Sequence, residues 1–165
     1  MADFAGTDRL VGVRLKQDQP RPRLPEVQQE LEVAIYDLTE SNRFRVAPRA
    51  EDAVPPGPYE LGIGMADRML VMEIATERGD PVTAFHLSLS PLRGVIKDYF
   101  AICESYFNAV KRLPPSRIEA IDMGRRGVHD EGARILVERL AGKIETDMET
   151  ARRLFTVICA LQFRG

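Results

Sequence analysis

The chain has 165 residues, 44% hydrophobic and 29% charged, with a formal charge of -2. That length supports one ordinary core, so a single domain over 1–165 is expected, and the near-neutral balance excludes the strongly basic surface of a general nucleic-acid-binding domain. No uncharged apolar run reaches the length that crosses a bilayer, and residues 1–8 lack the basic and apolar segments of a secretory leader, which predicts a cytoplasmic protein with no membrane partner.

Taken in chain order, Leu10 to Leu15 reads as a short strand and Gln17 to Arg23, charged and carrying prolines, as a connection. Pro25 suits a first helical position. The helix it opens places Val27, Leu31, Ala34, Ile35 and Leu38 on one stripe and ends near Ser41 and Asn42. Arg43 to Ala47 can form a second strand, and the proline-rich Pro48 to Pro58 is a loop. Three strands follow, Tyr59 to Met65, Met69 to Thr76 and Val82 to Leu89, with the alternation of an antiparallel sheet buried on one face. Glu77 to Pro81 supplies a hairpin turn between the last two. The register puts His86 on the solvent side, opposite Phe85, Leu87 and Leu89. The tripeptide Arg78-Gly79-Asp80 spells an adhesion motif that a chain without an export signal does not use.

From Ser90 the apolar period changes from two to about 3.6. Ser90 and Pro91 are placed as N-cap and first helical residue of a long helix whose broad apolar face includes Tyr99, Phe100, Cys103, Tyr106, Phe107 and Val110, and Pro114-Pro115 ends it. Ser116 to Glu119 and Thr146 to Glu149 have the form of capping boxes and mark further helix starts. Another helix is expected to begin at His129 or Asp130 and to close at Gly142, and a last one to run from Asp147 to Phe163. Cys103 and Cys159 both fall within helical apolar patterns, which fits reduced, buried thiols rather than a disulfide or a zinc site. The architecture that uses all these stripes is α+β, a small antiparallel sheet of four to five strands covered on one face by helices, with a helical C-terminal half.

The segment Ile121-Asp-Met-Gly-Arg-Arg-Gly-Val-His-Asp-Glu-Gly132 interrupts this helical half with three glycines, two arginines and a histidine. Two readings stand side by side. In the first, Gly124 and Gly127 let successive N–H groups form an anion nest, Arg125 and Arg126 add forked donors, and His129 lies at a helix start just downstream, so that 124–132 captures a small anionic ligand or an acidic protein segment. In the second, Gly124 ends one helix, Asp130 caps the next, and the arginines pair with Asp122, Glu119 or acids on neighbouring elements. A catalytic version makes His129 a general base oriented by Asp130 or Asp122, acting on a phosphorylated or carboxylated small molecule.

Nucleophile elbow, phosphate loop and dinucleotide fingerprint are all absent from the sequence, so no cofactor is expected. Two histidines 43 positions apart give no metal-ligand spacing, so no metal is expected either. Arg152-Arg153 with Arg134, Arg139 and Lys143 could join a basic patch for RNA, but aromatic residues do not interleave with them, and Glu138, Glu145 and Glu149 make a solvated, self-paired face the preferred reading. The sequence therefore leans toward a regulatory or adaptor protein rather than an enzyme, with a homo-oligomer left open through the aromatic residues of the long helix.

The runs Leu87 to Arg93, Lys97 to Tyr106, Ile118 to Gly127, Gly142 to Glu145 and Ala151 to Phe155, together with Ala34 to Leu38, resemble a family of uncharacterised bacterial proteins along essentially the whole chain. The resemblance implies a bacterial cytosolic protein and carries over no activity, cofactor or catalytic residue.

Overall fold

The structure, a computed structural model, describes residues 3–16, 24–49 and 53–162. The expected connection over Gln17 to Arg23 and the expected end of the last helix at Phe163 lie outside these residues. In chain order the elements are β1 (Leu10–Lys16), α1 (Pro25–Glu40), β2 (Phe44–Val46), β3 (Tyr59–Ala66), β4 (Met69–Thr76), β5 (Pro81–Ser88), a 3₁₀ turn (Ser90–Leu92), α2 (Arg93–Arg112), α3 (Pro115–Leu140), β6 (Ile144–Thr146) and α4 (Met148–Gln162). The class is α+β, as the periodicities require.

The main sheet has the order β1-β3-β4-β5 and is mixed, not antiparallel throughout. β3, β4 and β5 pair antiparallel through two short turns, but β1 lies parallel to β3, with Val13 opposite Leu61 and Leu15 opposite Ile63. The reason is α1, which carries the chain back between the two strands so that both enter the sheet in the same direction. β2 is not a member of this sheet. It pairs antiparallel with β6, a three-residue strand that its sequence, Ile-Glu-Thr, is too short to announce. Leu61, Ile63, Leu70, Met72, Ile74 and Leu87 line the inner sheet face and join Leu31, Leu38, Phe44, Leu136, Leu154 and Phe155 in one continuous buried cluster. On the outer face Glu60 and His86 are exposed, as the alternation predicts for His86.

Several helix boundaries differ from expectation. α3 runs without interruption through the whole of 121–132. Neither capping box forms as read: Pro114 stands at the N-cap of α3 with no side-chain hydrogen bond, and at α4 it is Asp147 that accepts from the Thr150 N–H at 3.0 Å while Thr146 belongs to β6. Ser90 likewise caps nothing, because the chain turns through a 3₁₀ segment before α2. The helix end that sequence periodicity places near Asn42 is anchored by Asn42 itself. Its amide donates to the carbonyls of Leu38 and Leu10 at 2.5 and 2.9 Å and accepts from the Leu10 N–H at 2.6 Å, which ties the last turn of α1 to the start of β1.

Candidate functional site

An anion nest needs free N–H groups and left-handed backbone, and within a continuous helix the amides are already bonded to carbonyls one turn back. Among the described glycines a positive φ occurs at Gly79 and Gly142, not at Gly124 or Gly127. The nest and the helix start at His129 are therefore not formed. Interior glycines cost a helix about 1 kcal/mol each, a penalty offset here by packing along the inner side of α3, where Gly132, Ala133, Leu136 and Leu140 are buried.

The helix also separates the two arginines. Successive residues point about 100° apart around the axis, so neighbours in sequence face different surroundings. Arg125 turns inward and donates to the Glu30 carboxylate of α1 at 3.0 Å, lies 3.6 Å from Asp122, and stacks over the Tyr106 ring at 4.7 Å. The Tyr99 hydroxyl donates to the other oxygen of Glu30 at 3.3 Å. Burial works against the charge on Arg125, but Glu30 and then Cys103 and Asp122 more than offset it and the guanidinium is held more firmly than usual. Arg126 turns outward, its side chain 78% exposed, with a 3.3 Å contact to Asp122.

His129 lies one turn past Arg125. Its Nδ1 is 3.0 Å from the Arg125 carbonyl, an acceptor, so Nδ1 carries the proton of the neutral ring. Tyr99 and Phe155 meet the ring edge-on at 5.2 and 6.2 Å between centroids. Burial, and then the neighbouring Arg125, lower its pKa, while the carbonyl bond, Glu30 and Asp130 act less strongly the other way. The unfolded chain therefore takes up a proton that the folded chain resists. Stability is expected to fall as pH drops below the ordinary histidine value and to level off once the folded-state pKa is passed. Chemical denaturation of wild type and His129→Phe at pH 7.5 and 5.5 checks this, since the variant should lose that part of the pH dependence; an unchanged difference would show that His129 is not its source.

The orienting acids proposed for a general base are engaged elsewhere. Asp130 is paired with Arg152 at 2.5 Å and Asp122 with both arginines. Burial pushes the Cys103 thiol up to about 11 and also raises the Cys159 thiol well above its ordinary value, so neither is a thiolate at neutral pH. The second basic pair is structural too: Arg152 also pairs with Glu149, and Arg153 donates to the Ser41 carbonyl at 2.7 Å, closing the end of α1.

Of the predicted residues Gly124 and Gly127 are exposed on the helix surface, while Arg126, His129 and Asp130 line an open hollow of about 350 Å³ with Glu149 and Arg152, two cations against two carboxylates. Sequence reasoning missed Glu30, Tyr99 and Tyr106 as the partners of Arg125. The available signal was a carboxylate at the edge of the apolar stripe of α1 and an arginine on the stripe that runs through Ile121, Val128 and Gly132 of α3, each requiring a partner. Among the described residues no group of three or more His, Cys, Asp or Glu side chains is placed to hold a metal ion, and no helix is long and apolar enough to cross a membrane.

Comparison with known proteins places relatives along the whole chain. A UPF0262 protein of Ruegeria pomeroyi is 55% identical over 157 residues, covering 95% of this chain and 98% of its own. Its counterpart in Paracoccus denitrificans is 55% identical over 154 residues, covering 93% and 95%, and that of Cereibacter sphaeroides (strain ATCC 17025) 53% identical over 156 residues, covering 94% and 99%. No solved structure matches. The family model of UPF0262, described as an uncharacterised protein family, matches residues 7–164, and the chain belongs to that family.

Proposed function

We propose that this single-domain protein is a cytoplasmic, non-catalytic adaptor or regulatory protein that holds an acidic segment of a partner protein against the outward side of α3. The observation that carries the reading is the division of the two arginines. Arg125 is engaged inside by Glu30, while Arg126 stands in solvent beside Met123, which is 66% exposed one turn earlier. An ion pair as exposed as Arg126 with Asp122 is weak enough to be exchanged for a partner's carboxylate, and Met123 offers an adaptable apolar contact next to it. An enzyme working through His129 would call for an enclosed cavity with both arginines turned into it, whereas this hollow is open and Arg125 faces away.

The test places a photo-crosslinking residue at position 123 in the host cell, with position 84 on the outer sheet face as control. A nuclease-resistant partner protein is expected from position 123 and not from position 84, with affinity for the purified partner lowered at least about tenfold by Arg126→Glu. The same crosslinks from both positions, a product that nuclease removes, or unchanged affinity in the variant would contradict the proposal.

A further inference from the structure

A second hollow, of about 450 Å³, lies where the β3–β4 hairpin meets the entry to α2, and Arg68, Arg93, Ser88 and Ser90 line it over Leu89 and Ile96. Its chemistry differs from that of the hollow at Arg126. Among the described residues two arginines line it, with Gln162 beside them and no carboxylate, and neither Arg68 nor Arg93 forms an ion pair there. In the hollow at Arg126, by contrast, Arg126 and Arg152 are each paired with an acid. Two serine hydroxyls belong to the same lining as Arg68 and Arg93. Ser88 and Ser90 lie 3.1 Å apart, oxygen to oxygen, and Ser90 does not serve as the helix cap its position in the sequence suggests.

We propose that this hollow is a binding site for a small phosphomonoester. Two forked donors without an acidic partner among the described residues match a group of nearly two negative charges with several acceptor oxygens, which a single carboxylate is not. The serine hydroxyls supply further donors of the right reach. The volume exceeds that of a phosphate alone and falls in the range of small-ligand sites, so the remainder of the ester lies on Leu89 and Ile96.

Arg68 offers an unusual test. It and Asp67 form the two-residue β3–β4 turn with φ of 67° and 50°, a conformation glycine adopts at less cost than arginine. Arg68→Gly is therefore expected to raise the basal Tm of the full chain while removing one of the two cations. Thermal unfolding and calorimetry are run with inorganic phosphate, phenyl phosphate and a phosphoserine peptide, each against chloride at equal ionic strength. Phosphate should raise the Tm of wild type and of Arg126→Ala, phenyl phosphate should bind more tightly than phosphate, and Arg68→Gly and Arg93→Gln should each weaken binding at least about tenfold. Four results would overturn the proposal: no phosphate-dependent rise in wild type, a rise kept in full by both variants, a rise lost in Arg126→Ala, or a phosphoserine peptide that binds more tightly than phenyl phosphate.

Discussion

Gly132→Ala is expected to destabilise the protein by about 2 kcal/mol, a drop in Tm of about 6 °C, whereas Gly127→Ala, one and a half turns earlier on the same helix, is expected to stabilise it by about 0.5–1 kcal/mol. At Gly132 an added Cβ would lie 2.5 Å from two atoms of the Phe155 ring, and that ring is fully buried between α3, α2 and α4 with no open side to retreat to. Overpacking of this kind forces the helices apart and outweighs the gain in helix propensity that alanine brings. At Gly127 an added Cβ meets nothing within 4 Å, so propensity alone decides. Paired thermal denaturation of the two variants reads the difference. Two changes of the same sign would contradict the packing assigned to α3.

Asn42→Ala is expected to be costlier, about 3 kcal/mol, because it leaves three backbone groups without their partner: the N–H and carbonyl of Leu10 and the carbonyl of Leu38. Asn42 is 9% exposed and Leu10 and Leu38 are buried, so water reaches these groups poorly. The variant should lower the denaturant midpoint with little change in the slope. It should also expose the β1 amides to faster hydrogen exchange than those of β4 at the centre of the sheet. Asn42→Asp should not rescue it, since a carboxylate keeps the acceptor for Leu10 but turns both donors into repulsion against carbonyl oxygens. A loss below about 1 kcal/mol would show that these groups find other partners.

Much of the fold was legible because periodicity is a strong signal where burial is one-sided. The stripe of Val27, Leu31, Ala34 and Leu38 identifies α1, and the alternation of Leu70, Met72 and Ile74 identifies β4. The parallel pairing of β1 with β3 was not legible, since strand direction depends on where a crossover helix returns the chain and not on which residues alternate. β2 was legible within Arg43 to Ala47, but its partner β6 was obscured by a length of three residues, and so the pairing of the two was not.

The segment 121–132 was misread as a break for a physical reason that its three glycines make plain. Glycine does mark turns, but it also stands wherever a helix must come close to a neighbour, as Gly132 does against Phe155, and sequence alone does not distinguish the two uses. Once the break is removed, the roles of the charged residues follow from helical geometry. Asp122, Arg125 and His129 share the inner side, and Arg126 with Met123 takes the outer. The pairing of Arg125 with Glu30 was out of reach because the partners are 95 positions apart.

The continuity of α3 is the claim on which the rest depends, since it decides that Arg125 and His129 are internal and that Arg126 is the accessible cation. Thermal denaturation of Gly127→Ala tests it most directly. A continuous helix predicts a Tm higher by about 2–3 °C; a left-handed glycine in a phosphate-type loop would instead make alanine destabilising by about 1 kcal/mol or more, and a fall in Tm of that size would contradict the account.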